Sequence, residues 1–344
     1  MPIAHISHGF ISPWRRSDDD WRQTGGHFPA TRAGRCGTGA GAGRGGAGQR
    51  SYSVRRDDGQ AGDHHRVGLG ARSERAGPQR QPAARDDVPH PYPRDDLRVV
   101  VEGGIVIKPE LALGAHVAFV RYADGGTMCM GDVAVTEKEL QGVIDVWQAN
   151  GIAVTALHKH LPAHRPDMWW VHVHGHGQDE KEELALAKGL RAGFDRTGIP
   201  PATPSGPPSP VALDAAGIDA ALGAKGSSDG VVYKAVFARR ETIFDGHLVL
   251  PSGLGATSAF IFQPLGNGRA ALSGDCVMLA EEVQNVLGAL RRGGIKLVEL
   301  HNHHLTESPR LFFTHFWAVG DAVELAKALR PAVDATNVVP TSGV

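Results

Sequence analysis

From about residue 97 the chain alternates apolar and polar positions in short runs that read as strands, interrupted by longer runs with helical spacing. Alternation predicts strands over 97–102, 116–121 and 127–133. A helix follows, its stripe made by Leu140, Val143, Ile144 and Trp147, its start marked by the capping-box spacing of Thr136 and Glu139, and its end by Gly151. Beyond it the pattern predicts a strand over 152–160, a loop with Pro166, a strand over 168–176 and a helix over 180–194. The same order returns later: strands over 231–237, 258–263 and 270–278, a helix with Val283, Val286, Leu287 and Leu290 on one face, strands over 295–303 and 311–317, and a helix over 321–335.

The recurrence is an internal duplication. Gly131-Asp132 returns as Gly274-Asp275, and a constant shift of 143 runs without a gap to Gly177 and Gly320. It matches Glu139 with Glu282, Gly151 with Gly294, His158 and His160 with His301 and His303, Pro166 with Pro309, and His172 with His315. Upstream, Leu113-Gly114 and Ala118-Phe119 match Leu254-Gly255 and Ala259-Phe260, and downstream Ala187-Lys188 matches Ala326-Lys327. The expected fold is therefore α+β: two tandem repeats of a ββαββα sandwich with antiparallel sheets, repeat one over 93–196 and repeat two over 213–337. Residues 197–212 carry six prolines and read as a linker.

Composition separates the first part of the chain from the rest. Residues 1–90 hold 14 Arg, no Lys, 9 acidic residues, 16 Gly and 10 residues of the Ile, Leu, Val, Phe and Met set, too few to bury a core. Residues 1–92 are accordingly expected to be disordered, or to be a mis-framed reading of a GC-rich gene, and the opening of repeat one is not recognisable before Pro93. An Arg/Gly arm for RNA is the weaker reading, because aromatics are sparse and Asp18-Asp19-Asp20 interrupts the positive charge. With 36 basic and 37 acidic residues overall, nothing points to nucleic acid as a partner. Three cysteines without a CxxC pair give neither a disulfide framework nor a thiolate metal site, and no apolar run reaches the length of a membrane span. No secretory signal can be read at the start of the chain.

The candidate chemistry lies in histidine. Side chains alternate along a strand, so His158 and His160 share a face, as do His172, His174 and His176. If the two strands form a hairpin, His158, His160 and His172 converge, and His301, His303 and His315 do the same in repeat two, where His304 and Glu299 are added. Three imidazoles on a rigid hairpin suit zinc or another divalent metal, with Glu299 as a carboxylate ligand or a catalytic base. The predicted metal residues are His301, His303, His315 and Glu299, with His158, His160 and His172 as a second site. Because an imidazole must be neutral to ligate, affinity is expected to fall below pH about 6.5. The ordinary alternative is that these are polar strand ends bonded to backbone and water. His174 and His176 rank lower, since Trp317 and Val319 replace them in repeat two, and His164 is expected to be solvated in its loop. Asp132 and Asp275, after glycine, are expected to bond backbone at a strand turn. Glu139 and Glu282 could complete a metal shell, although capping explains Glu139 more simply. Trp169, Trp170, Phe312 and Phe313 are expected to fill the core.

The segments GDVAVTEKEL, GIAVTALHKHLPAHRPDMWWVHVHGHG and GIKLVELHNHHLTESPRLFFTHFWAVGDAVELAKALR resemble the LppY/LpqO family of bacterial proteins, a tandem-duplicated domain of unknown function. The resemblance covers about 93–196 and 213–337, and it implies an exported or cell-envelope setting without assigning catalytic residues. The function this supports is divalent-metal binding, with a metal ion or small molecule as partner and a metal-dependent enzyme of unnamed reaction as its catalytic form. The alternatives are a non-catalytic cell-envelope binding protein and a structural module with ordinary histidines.

Overall fold

The computed structural model describes residues 90–200 and 209–341. The expectation of a disordered or mis-framed segment falls almost wholly on residues 1–89, outside the described residues, as does the middle of the Pro-rich linker. The structure consists of two tandem copies of a mixed α+β unit with antiparallel sheets. In the first, β1 (His90–Pro93), β2 (Gly114–Arg121), β3 (Thr127–Thr136), β4 (Ala153–His158) and β5 (Met168–Gly177) form a sheet in the order β1-β2-β3-β5-β4. Its helices are the single turn α1 (Pro109–Ala112), α2 (Glu137–Ala149) and α3 (Glu180–Phe194). In the second, α4 (Ala215–Leu222) precedes β6 (Tyr233–Arg239), β7 (Thr257–Gly266), β8 (Arg269–Met278), α5 (Val283–Arg292), β9 (Lys296–His301), β10 (Phe312–Asp321), α6 (Ala322–Asp334) and β11 (Val338–Pro340). The second sheet runs β9-β10-β8-β7-β6-β11. Two small sheets lie outside these, one joining Val100–Val101 to His164–Arg165, the other joining Ile243–Asp245 to Glu307–Ser308.

The central strands show how the layers stack. Nearly every residue of β3 and β8 is buried, which happens only when a strand is covered on both faces. One face packs on helices: Val133, Val135, Val171 and Val173 meet Val143 and Trp147 of α2 and Leu186 and Leu190 of α3. The counterpart in repeat two sets Phe260, Leu272 and Phe316 against Val286, Leu290, Ala326 and Leu329. The other faces meet each other. One apolar cluster joins Ala118, Val120, Met128 and Met130 to Val277 and Phe313, and a second joins Ala134 and Trp170 to Ala271 and Trp317. The order of layers is helices, sheet, sheet, helices.

The repeats share register as well as order. Asp132 pairs with His172 as Asp275 pairs with His315, and each edge strand carries one unpaired residue, Thr155 in β4 and Val298 in β9. Two expectations change upstream. Asp132 lies opposite His116 and Asp275 opposite Ala259, so the shift of 143 extends through β2 and β7, and the Leu113-Gly114 and Ala118-Phe119 matches are both displaced by two residues. The end of the opening strand of repeat one is also present, since Tyr92 pairs with Ala115 as Phe237 pairs with Ser258. His90–Pro93 is strand, so order begins before the expected boundary at 93.

This alignment superposes two buried ion-pair clusters. Arg94, fully buried, donates to Asp96, to Glu139 and to the Ala134 carbonyl, at 2.8–3.1 Å. Arg239 holds Glu241 and Glu282 in the same way. Glu139 also accepts from the Thr136 amide at 2.7 Å, and Glu282 from the Leu279 amide at 2.7 Å. Both glutamates are thus committed to guanidinium and helix start, and neither reaches the histidines as a metal ligand.

Candidate metal centre

The histidines lie where the two sheets meet. After the bulge at Thr155 the inner face of β4 carries Ala156 and His158, opposite His172 and Trp170 of β5. The bulge at Val298 brings Glu299 and His301 opposite His315 and Phe313. Because both inner faces are buried against each other, the expected pair of separate sites becomes one cluster of six imidazoles. His158 stacks on His301 with ring centroids 4.0 Å apart, His160 lies 3.8 Å from His315, and His172 lies 4.1 Å from His303. The last two contacts are reciprocal, each joining a residue of one repeat to the partner position in the other, as an approximate twofold relation requires. Thr155 and Asn302 tie the copies together beside the cluster: the Thr155 hydroxyl donates to the His303 carbonyl at 2.5 Å, and the Asn302 amide donates to the Thr155 carbonyl at 2.9 Å.

Two carboxylates complete the cluster. Asp132 Oδ2 is 3.1 Å from His160 Nε2, and Asp275 Oδ2 is 3.2 Å from His303 Nε2. Neither aspartate is at a turn; both stand in the middle of central strands. The glycines before them allow close packing of the sheet, since a Cβ on Gly274 would lie 2.5 Å from the Ala259 carbonyl oxygen and one on Gly131 3.0 Å from that of His116.

Several tautomers are set by backbone. His315 donates from Nδ1 to the Gly274 carbonyl at 3.0 Å, which leaves the Nε2 lone pair free in the interior. His303 donates from Nδ1 to Gly255 at 3.0 Å, so its Nε2 faces the Asp275 carboxylate, an arrangement that needs a proton or a cation between them. His158 and His160 bring their Nε2 atoms to 2.9 Å. Three overlapping sets have ligand atoms within 4.8 Å of one another: His158, His160 and His315; His158, His172 and His301; Asp275, His301 and His315.

The polar accounting is unusual. Among the described residues, the buried side-chain nitrogen and oxygen atoms without a partner belong to Asp132, His158, His172, His301, His315 and Asp275, and otherwise to His174 and His304. Each such atom costs on the order of 1–3 kcal/mol. Burial, reinforced by neighbouring imidazoles, lowers the pKa of His158, His160, His172 and His301 well below the usual histidine value, and takes His315 down to about 3. Burial raises the Asp132 carboxyl to about 6, with His116 and His303 opposing. These five imidazoles are therefore held towards the neutral form, the state a metal requires.

Glu299 is opposite His315 in register, is half-buried, and belongs to none of the ligand sets; the carboxylate in the central sets is Asp275. His164 is not solvated: its side chain is buried and bonded to the Pro162 carbonyl and the Met168 amide. Trp170 and Phe313 are buried as expected, whereas Trp169 and Phe312 are half-buried. His116, paired with Asp132, and Asp245, beside His174 and His176, were not singled out from sequence.

The chain belongs to the family described as Domain of Unknown Function (DUF1259), whose profile matches it twice, over residues 80–196 and 216–335. No curated protein matches the sequence. Solved structures that align include a double-ringed trimeric shell protein of the RMM microcompartment (12% identity, 64% of this chain, 86% of that chain, TM-score 0.17). The trimeric microcompartment shell protein PduB aligns at 10% identity over 66% of this chain and 92% of that one, with TM-score 0.18. At such scores these likenesses carry no argument about fold or assembly. Among the described residues no helix is long and apolar enough to cross a membrane.

Proposed function

We propose that this protein binds a divalent metal ion, zinc being the best-matched probe, between its two repeats. The ligands are drawn from His158, His160, His172, His301, His303 and His315, with Asp132 and Asp275 as the carboxylates. The observation that carries the reading is the concentration of partnerless buried nitrogen and oxygen atoms in this one cluster. A fold that leaves so many buried polar atoms unsatisfied is stabilised by a cation that accepts the lone pairs among them. Imidazole and carboxylate donors fit a borderline ion of the zinc class.

The site is closed: His158 and His172 are 1% exposed, His315 5% and His303 7%. A closed, protein-rich ligand shell favours a binding or structural ion over a catalytic one, which needs an open position. A metal-dependent enzyme, in which the ion would supply Lewis-acid polarisation, has less support at this centre. The LppY/LpqO resemblance adds a cell-envelope setting to the reading. To test it, the full chain is stripped with chelator and titrated with zinc by calorimetry, with metal content measured after desalting. Tight uptake that falls by one equivalent in His158→Ala/His301→Ala, with circular dichroism unchanged, supports the proposal. No uptake by the parent protein, or equal uptake by the variant, overturns it.

A further inference from the structure

A second histidine group stands at one end of the sheet interface. His174 and His176 follow His172 on the inner face of β5, and Asp245 reaches them from the short strand Ile243–Asp245 of repeat two. Asp245 Oδ2 lies 3.3 Å from His176 Nε2 and 3.7 Å from His174 Nε2, and the three ligand atoms lie within 4.8 Å of one another. Asp245 is oriented by the Thr306 hydroxyl, which donates to its Oδ1 at 2.5 Å. His174 is 7% exposed, and its Nε2 is buried without a hydrogen bond, 3.7 Å being too long for one. Behind it His304, fully buried, bonds the Leu254 carbonyl through Nε2 and leaves its Nδ1 without a partner, with its ring centroid 5.3 Å from that of His174.

The duplication supplies the internal control. Under the shared register Trp317 and Val319 occupy the places of His174 and His176. Asp245 pairs with Glu307 as Val101 pairs with His164, so Val101 occupies the place of Asp245. Val101 and Trp317 are buried together in one apolar cluster, with Val319 packed against it. The same fold thus closes this corner with Val, Trp and Val in one copy and opens it with two imidazoles and a carboxylate in the other. Packing does not demand the polar triplet, and burying it without a ligand costs stability.

We infer that His174, His176 and Asp245 form a second divalent-metal site, distinct from the central one and made by both repeats. Two imidazoles and one carboxylate ligate first-row ions such as zinc or iron(II) while leaving coordination positions for water or an exogenous ligand. The His176 side chain, 40% exposed, gives the ion a path from solvent. This is the more open of the two sites.

The test is zinc stoichiometry of the chelator-stripped full chain, compared among wild type, His176→Ala, Asp245→Asn and His158→Ala/His301→Ala. The exposure of His176 makes its replacement harmless to the fold, and circular dichroism checks the others. Two equivalents in wild type, falling to one in His176→Ala and in Asp245→Asn with the remaining affinity within about twofold, support the site. One equivalent in wild type that disappears with His176→Ala also supports it, while overturning the central reading. Unchanged stoichiometry in both His176→Ala and Asp245→Asn overturns the inference, as does a parent protein that takes up no zinc.

Discussion

Acidifying the metal-stripped protein should weaken the fold steeply, and the size of the effect follows from the burial of the imidazoles. Each histidine held neutral in the folded chain but free to protonate near pH 6.5 when unfolded lets the unfolded state bind the extra proton, so stability is full above pH 6.5 and drains as pH falls towards the folded value. Between pH 7 and pH 5.5 each such group costs about 1.2 kcal/mol. His158, His160, His172 and His301, all lowered well below the usual histidine value, and His315, at about 3, make at most roughly 6 kcal/mol in total. Asp132 works in the opposite sense: its carboxyl, raised to about 6, takes up a proton in the fold first and returns about 1 kcal/mol. The net loss of about 5 kcal/mol is comparable to the whole stability of an ordinary domain. With a urea slope of roughly 2.5 kcal/mol per M, the unfolding midpoint of the stripped protein should fall by about 2 M on going from pH 7 to pH 5.5. Saturating zinc should hold the midpoint higher at both pH values. Metal affinity itself should persist below pH 6.5, because the folded imidazoles stay neutral there, in contrast to the expectation from unperturbed histidine. A stripped protein whose urea midpoint is the same at pH 7 and pH 5.5 would refute the claim that these side chains are buried and neutral.

Further outcomes can be read from equilibrium unfolding at pH 7. Arg94→Ala strands Glu139 and Asp96 without their guanidinium and should cost roughly 3–5 kcal/mol, and Arg239→Ala should match it within about 1 kcal/mol if the two ion-pair clusters are equivalent. Gly274→Ala places a methyl 2.5 Å from the Ala259 carbonyl oxygen and should destabilise by at least about 1–3 kcal/mol, whereas Gly142→Ala, on an open face of α2, should be neutral or stabilising by up to about 1 kcal/mol. Thr155→Val removes the hydroxyl bond to the His303 carbonyl and should cost roughly 0.5–1.5 kcal/mol, with a matching loss of zinc affinity if that bond positions the His303 segment.

Much of this arrangement is local and therefore legible in the chain. The hairpins could be read because period-two alternation and short connections fix which histidines share a face, and the shift of 143 doubled the signal. The bulges at Thr155 and Val298 left that inference intact because both precede the histidines. The two-residue slip in β2 and β7 escaped notice for the same reason that it mattered little, since a displacement by two keeps every side chain on its face. Face-to-face packing of the sheets was not legible, because contacts such as His158 with His301 join residues 143 positions apart and leave no trace in local periodicity. Asp132 was misplaced by its neighbour: glycine before aspartate suggests a turn, but Gly131 serves close packing within a central strand. Asp245 sits in a three-residue strand with no spacing motif, so only the fold brings it to His174 and His176.

The duplication and the proposed metal centre explain each other. One repeat alone would expose an inner face carrying Val120, Met130 and Trp170 beside three histidines, a surface that water would not tolerate well and that three imidazoles cannot make polar enough. Pairing two copies buries the apolar parts, but it also presses His158 against His301 at 4.0 Å and draws Asp132 and Asp275 into the interior. What is favourable for the valines and methionines is unfavourable for the imidazoles, whose lone pairs lose water without gaining hydrogen bonds. A cation at the seam would turn that deficit into binding energy. It would also link the copies through side chains that neither could bring together alone, because the close contacts of His160 and His172 run across the seam, to His315 and His303. The seam should therefore be the part of the molecule whose integrity depends most on metal, with hydrogen exchange in β4, β5, β9 and β10 slowed by zinc more than in α3 or α6. Equal protection of all these elements with and without zinc would separate metal uptake from the packing of the two repeats.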